Sequence, residues 1–171
     1  MKIYKTKFKG LLIIKSKQFK DSRGLFRELL KESLLKKKFL FNVVSCSKKN
    51  VIRGLHYQAN NPQGKFISVV KGKIFDVAVD LRKNSKTYGK HLKVILSDKN
   101  GTSIYIPEGF AHGFASMDKE NIVVYNCTNY RDKDNEKGII WNDPSLKIKW
   151  PIKKPIISKK DLSNSYFESI K

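Results

Sequence analysis

The sequence predicts an all-β protein, an antiparallel sandwich or barrel with a few short helices. Three observations carry that expectation. From Phe39 onward the chain breaks into eight short segments rich in Val, Ile, Phe and Tyr. Gly, Asn, Asp and Pro punctuate them at close spacing, which favours antiparallel strands over a parallel sheet. Strict alternation also shows in Ile74-Phe75-Asp76-Val77-Ala78-Val79-Asp80.

Taken in order, residues 10–14 form a short aliphatic run after a lysine-rich start and read as an edge strand. The segment from Phe19 to Glu28 opens on a turn signal and ends in alternation. Leucines at 29, 30, 34 and 35 with lysines opposite predict a helix over 29–38. Strands are expected at 39–46, 51–57, 66–70, 73–81, 92–96, 102–106, 112–117 and 122–128. Val70-Lys71-Gly72-Lys73 and Asp98-Lys99-Asn100-Gly101 read as tight hairpin turns. In the alternating strand, Ile74, Asp76, Ala78 and Asp80 make a polar face that lines an internal cavity, while Phe75, Val77 and Val79 pack as core. After Asn129 the strand rhythm stops. Trp141, Pro144, Trp150, Pro151 and Pro155 mark an irregular segment laid over the β-structure, and Ser158 caps a short helix ahead of Asp161. One domain over 1–171 follows.

A chain of 171 residues, 40% of them hydrophobic, can bury a substantial core. No apolar run approaches the ~20 residues that cross a bilayer. The N-terminus has charge but no continuous apolar stretch, so a cytoplasmic location without a membrane partner is expected. Cys46 and Cys127 belong to no CxxC pair and read as buried, reduced thiols. The formal net charge is +21, yet only five of the 36 basic residues are arginine. Arginine is the preferred reader of phosphate and guanine, and the lysines are scattered along the whole chain. The charge therefore reads as a solvated surface with no nucleic-acid partner, and an anionic small molecule in a basic site fits it.

Three histidines occur, His56, His91 and His112. His56 and His112 sit in apolar strings that read as strands, where an imidazole facing a cavity is a ready proton carrier. His91 lies in a polar, edge-like context. The chain has no HxH pair, so no metal is expected. Arg53, His56 and Lys65 fall within thirteen residues. Such groups suit a substrate with phosphates and a carbonyl: arginine clamps phosphate, lysine stabilises an enolate oxygen, and histidine removes the activated proton. The bland alternative leaves Arg53 and Lys65 on the surface and His56 as a satisfied core imidazole.

Longer strings carry a resemblance. Phe19-x-Asp21-x-Arg23-Gly24-x-Phe26-x-Glu28, Arg53-Gly54-Leu55-His56-Tyr57-Gln58 and Gln63-Gly64-Lys65 come first. Phe75 to Arg82, Ile106 to Phe114, Trp141-Asn142-Asp143-Pro144, Trp150-Pro151 and Ser158-x-Lys160-Asp161 follow in order. Together they resemble the dTDP-4-dehydrorhamnose 3,5-epimerase family, cupin-like jelly-roll enzymes that use no metal and no other cofactor. The resemblance implies an isomerase acting on a dTDP-linked 4-keto-6-deoxy sugar, most simply as a homodimer. It makes His56 the base, Asp161 its orienting carboxylate, Lys65 the enolate stabiliser and Tyr125 the acid on the opposite face. It places Arg23, Glu28, Arg53, His112 and Tyr130 around the sugar nucleotide, with Arg23 and Arg53 suited to the diphosphate. Phe19 and Phe26 become apolar contacts at the nucleotide end, contributed across a dimer interface.

Two departures from the family pattern bear on substrate identity. Phe41 and Val43 stand where the family commonly has glutamine and asparagine, so polar contacts to the sugar nucleotide are either missing or supplied elsewhere, with Asn42 a candidate. Arg131 stands where an aromatic often follows the match to Tyr130. The rival readings are epimerisation at carbon 3 alone, a different deoxysugar nucleotide, and a non-catalytic sugar-nucleotide-binding cupin.

Overall fold

The computed structural model describes residues 1–170. In chain order the first strands are β1 (Lys2–Lys5), β2 (Leu12–Lys15), β3 (Gln18–Asp21), β4 (Gly24–Arg27), β5 (Phe41–Lys48), β6 (Ile52–Gln58) and β7 (Lys65–Lys71). They continue with β8 (Lys73–Asp80), β9 (His91–Ser97), β10 (Thr102–Ile106), β11 (Phe110–Ser116), β12 (Glu120–Cys127) and β13 (Glu136–Gly138). Two single-turn helices, α1 (Glu32–Leu35) and α2 (Lys159–Leu162), and a 3-10 turn at Phe167–Ile170 complete the list of elements.

The strands form a six-stranded sheet, β1-β2-β10-β7-β12-β5, and a five-stranded sheet, β13-β6-β11-β8-β9. All pairings within both sheets are antiparallel. From β5 onward every connection crosses between the sheets except β8–β9, which makes this a cupin-like jelly roll. Strands β3 and β4 pair only with each other, as an outlying hairpin.

Both expected tight hairpins are therefore corners that carry the chain from one sheet to the other. Gly72 (φ +82°) turns from β7 to β8, and Gly101 (φ +61°) serves the β9–β10 corner. A local turn signal reports the reversal but not which strand becomes the hydrogen-bonded neighbour.

The main core lies between the sheets, with Ile67, Val69, Ile104 and Val123 from one and Ile74, Leu96, Phe110 and Phe114 from the other. A second cluster joins Leu55, Val77, Val79 and Ala111 to Ile139, Leu146 and Phe167, so the irregular C-terminal segment covers the outer face of the five-stranded sheet. The alternating strand β8 thus has two apolar faces. Ile74 and Ala78 belong to the inter-sheet core alongside Asp76, which corrects the expectation of a polar cavity face.

The expected helix over 29–38 shrinks to α1. Lys31 supplies no side-chain cap, and Lys36 adopts a left-handed conformation (φ 51°) that ends the turn. Leu30 and Leu35 instead pack with Phe39 against Phe66 and Tyr105, covering the outer face of the other sheet. The strand expected at 10–14 is β2, but the lysine-rich β1 lies outside it, so β2 is not an edge. Cys127 is buried as expected, whereas Cys46 points outward from β5 and is exposed. Among the described residues, no helix is long and apolar enough to cross a membrane.

Candidate active site

Between the sheets, beside the core, opens a cavity of about 260 Å³. Arg53, His56, Lys65, His112 and Tyr125 all line it. Two glycines allow the strands that carry the histidines to meet. A Cβ on Gly54 (φ +116°) would lie 2.6 Å from the Gly113 Cα, and one on Gly113 would lie 2.7 Å from the Arg53 carbonyl oxygen. Their absence lets β6 and β11 approach closely, with His56 and His112 as direct cross-strand partners.

Each imidazole is held by a carboxylate. His56 Nε2 lies 2.6 Å from Asp161 Oδ1, and Asp161 also accepts the Gly54 N–H at 3.2 Å. Ser158 caps α2 by accepting the Asp161 N–H, which fixes where this carboxylate points. Burial pushes Asp161 upward, but the hydrogen bond and charge of His56 outweigh it and hold the carboxyl below its ordinary value. With Nε2–H donated to Asp161, Nδ1 carries the lone pair that can take a proton. His112 Nε2 makes the same kind of contact to Asp76 Oδ2, at 2.8 Å, wholly inside the protein.

The opposing sheet brings different chemistry. On β7 the inward alternation is Lys65, Ile67 and Val69, so the lysine continues the core-facing side of its strand into the cavity. Burial lowers the Lys65 ammonium pKa, against the attraction of Cys127, Glu136 and Asp76. On β12 the same alternation gives Val123, Tyr125 and Cys127, and Cys127 is the direct partner of Lys65. Burial pushes the Tyr125 phenol up, so it stands protonated at neutral pH. Its ring meets His112 edge-on, centroids 6.1 Å apart at 73°. An imidazole on one sheet, held by a carboxylate from α2, thus faces a lysine and a neutral phenol on the other. Such a set can take a proton from carbon, hold negative charge on oxygen and return a proton from another side.

Several lining residues were given no site role by the sequence. Ser45 and Glu136 face the cavity, as do Gln63 of the Gln63-Gly64-Lys65 string and the thiol Cys127. Glu136 is bound by Arg131 at 2.6 Å and Lys160 at 2.7 Å, and the hydrogen bond from Arg131 leads in holding its carboxyl at about 2. Ser45 was findable, because period two along β5 puts Phe41, Val43, Ser45 and Ser47 on one side. Glu136 sits in a loop-flanked stretch with no periodicity to betray it. Ser47 accepts from Arg53 Nε at 2.9 Å and Arg53 also donates to the Cys46 carbonyl at 3.1 Å, so that guanidinium is anchored at the cavity rim.

Phe41 and Val43 line the cavity. Asn42, the expected polar substitute, points the other way and accepts from Asn126 Nδ2 at 2.6 Å. Tyr130 lies outside the lining but packs on Phe41 at 5.9 Å, at the mouth, 67% exposed. Arg23, Glu28, Phe19 and Phe26 do not join the cavity of their own chain. Phe19 and Phe26 stack on the β3–β4 hairpin, 49% and 66% exposed. Arg23 pairs with Asp21 at the tip, and Glu28 with Lys31 at 3.9 Å. The β3–β4 hairpin pairs with neither main sheet and is tied to the body at its base, where Gln18 donates to the Asp98 carbonyl and Arg27 to the Val69 carbonyl.

Comparison with known proteins converges on one family. The family model described as dTDP-4-dehydrorhamnose 3,5-epimerase matches residues 5–169. The chain is 46% identical to the dTDP-4-dehydrorhamnose 3,5-epimerase of Methanothermobacter thermautotrophicus, over 92% of this chain and 89% of the relative. It superimposes with a TM-score of 0.94 on the crystal structure of the dTDP-6-deoxy-D-glucose-3,5-epimerase of Legionella pneumophila in complex with dTDP-4-keto-L-rhamnose. That pair is 40% identical and covers 99% of this chain and 94% of the other. A more distant likeness is the 3'-monoepimerase ChmJ of Streptomyces bikiniensis in complex with dTDP-quinovose, at 26% identity, TM-score 0.88, 94% of this chain and 85% of the other. The jelly roll, the motif order and these matches together establish that the chain belongs to the dTDP-4-dehydrorhamnose 3,5-epimerase family.

Proposed function

We propose that this protein epimerises a dTDP-linked 4-keto-6-deoxy sugar at carbons 3 and 5, turning the 6-deoxyglucose form into the rhamnose form. The observation that carries the reading is the placement of His56–Asp161 and of Lys65 with Tyr125 on opposing walls of one cavity. His56 takes the proton beside the ketone, and its imidazolium is steadied by Asp161. Lys65 stabilises the enolate oxygen, and His112, fixed by Asp76, lines the same cavity. Tyr125 then delivers a proton to the other face, which inverts the carbon. Arg53 and Tyr130 serve the diphosphate and the nucleotide end. Every step uses only this chain's side chains.

The whole chain, 1–171, acts as one jelly-roll epimerase domain in the cytoplasm, as a homodimer. The hairpin supports the dimer, since it exposes Phe19, Leu25 and Phe26 and its Arg23 does not line its own chain's cavity. A second copy gives Phe19, Phe26, Arg23 and Glu28 a site to complete.

A second reading, inversion at carbon 3 alone, draws support from Phe41 and Val43, which give the β5 wall hydrocarbon in place of hydrogen-bonding groups. Proton NMR of the product formed in deuterated water separates the two. Deuterium at both carbons is the expected result, and deuterium at carbon 3 alone selects the second reading. No incorporation at either carbon rejects both in favour of a binding protein without catalysis.

A further inference from the structure

Along β5, period two places Phe41, Val43 and Ser45 on the cavity wall, and Ser45 brings the one hydroxyl among them. Its Oγ lies 3.4 Å from Tyr125 Oη. Among the described residues it is the phenol's hydrogen-bond partner. The cross-strand partner of Tyr125 is Val43, so the serine meets the phenol on a diagonal, one alternation deeper in the sheet. The edge contact with His112 restrains the ring but leaves the O–H free to rotate.

We propose that Ser45 is a positioning residue for the Tyr125 phenol, directing its proton into the cavity and stabilising the phenolate left behind. This rests on the reading of Tyr125 as proton donor. When the Ser45 O–H donates to Oη, the phenol's own proton turns towards the substrate. In the step itself the Tyr125 O–H bond breaks and a C–H bond forms with the enolate's electron pair. The carbonyl at carbon 4 is restored and the phenolate keeps the O–H electrons. Solvent returns a proton to the phenolate and takes one from the His56 imidazolium before the next carbon is inverted. The hydrogen bond from Ser45 also opposes the effect of burial on the phenol, as a group serving the phenolate would.

The test uses the full-length protein and dTDP-4-keto-6-deoxyglucose in deuterated water. It compares inverted product with deuterium recovered in unreacted substrate, where enolate has been reprotonated from the His56 side. Ser45→Ala is expected to slow product formation about tenfold while exchange into substrate stays within about twofold. Ser45→Thr keeps the hydroxyl and is expected to return product formation to within about threefold of the parent, which also controls for damage to folding. A Ser45→Ala ratio of exchange to inversion equal to the parent's overturns the proposal, whether both rates fall together or neither falls. Tyr125→Phe tells the two layers apart. A raised ratio in Tyr125→Phe with none in Ser45→Ala removes the serine's role alone, and an unchanged ratio in Tyr125→Phe removes the phenol's role as well.

Discussion

Asp80 and Asp161 are both buried carboxylates, yet they are built in opposite ways. All the side-chain donors to Asp80 lie within seven residues of it: Arg82 by Nε and Nη2 at 2.8 and 2.7 Å, Ser85 at 2.7 Å and Thr87 at 2.6 Å. Asp161 takes its partners from β6, more than a hundred residues away, and its principal one is an imidazole. A carboxylate saturated by neighbours that do not titrate near neutrality closes a loop. One paired across the chain with a histidine orients a proton carrier, and its value lies in the protonated state of its partner.

Substitution should therefore split the two sites. Asp161→Asn removes the charge that supports the His56 imidazolium. It is expected to lower kcat/KM on the order of a thousandfold, while folding stability changes by only about 1 kcal/mol. Steady-state kinetics with urea titration reads both. Asp80→Asn should do the reverse, losing about 3 kcal/mol of stability because Arg82 is left against a neutral partner, with kcat/KM within about threefold of the parent. Parallel losses in both variants would erase the distinction between them.

Acid unfolding sharpens the same contrast. Burial raises the Asp80 carboxyl pKa, but the Arg82, Ser85 and Thr87 hydrogen bonds override it and bring it to about 2. A folded value below the unfolded one means that the unfolded chain binds the proton first as pH falls. The stabilisation is complete above the ordinary carboxylate range and drains away between about pH 4 and pH 2, a loss of about 2 kcal/mol. Asp80→Asn should flatten that part of the stability curve, as measured by chemical denaturation across the acid range. The smallest effect is expected at Asn42. Its side chain bonds Asn126 on the outward side of β5, so Asn42→Ala should cost no more than about 0.5 kcal/mol and leave KM unchanged.

Much of this was legible in the sequence, because alternating side chains in strands leave a strong local record. The segments expected from 102–106 and 51–57 became β10 and β6 with at most one residue of difference at either end. Sheet membership was not legible. Gly72 and Gly101 announced reversals, yet each reversal changes sheets, a fact decided by which faces the inter-sheet core buries. The leucines at 30 and 35 showed helical spacing but serve as separate apolar contacts over Phe66 and Tyr105. At the site, His56, Lys65 and Tyr125 were reachable through motif and chemistry and Ser45 through the period of β5, whereas Glu136 owes its position to the pairing of a short strand with distant β6. Arg23, Phe19 and Phe26 sit on a hairpin and Glu28 just after it, and no local pattern ties them to any cavity.

The most direct test of the account follows deuterium entering dTDP-4-keto-6-deoxyglucose beside its ketone, with the parent protein and with His56→Ala under identical conditions. If an imidazole steadied by Asp161 begins the reaction, the variant loses both exchange into substrate and formation of inverted product. Exchange at the parent rate in His56→Ala would contradict it.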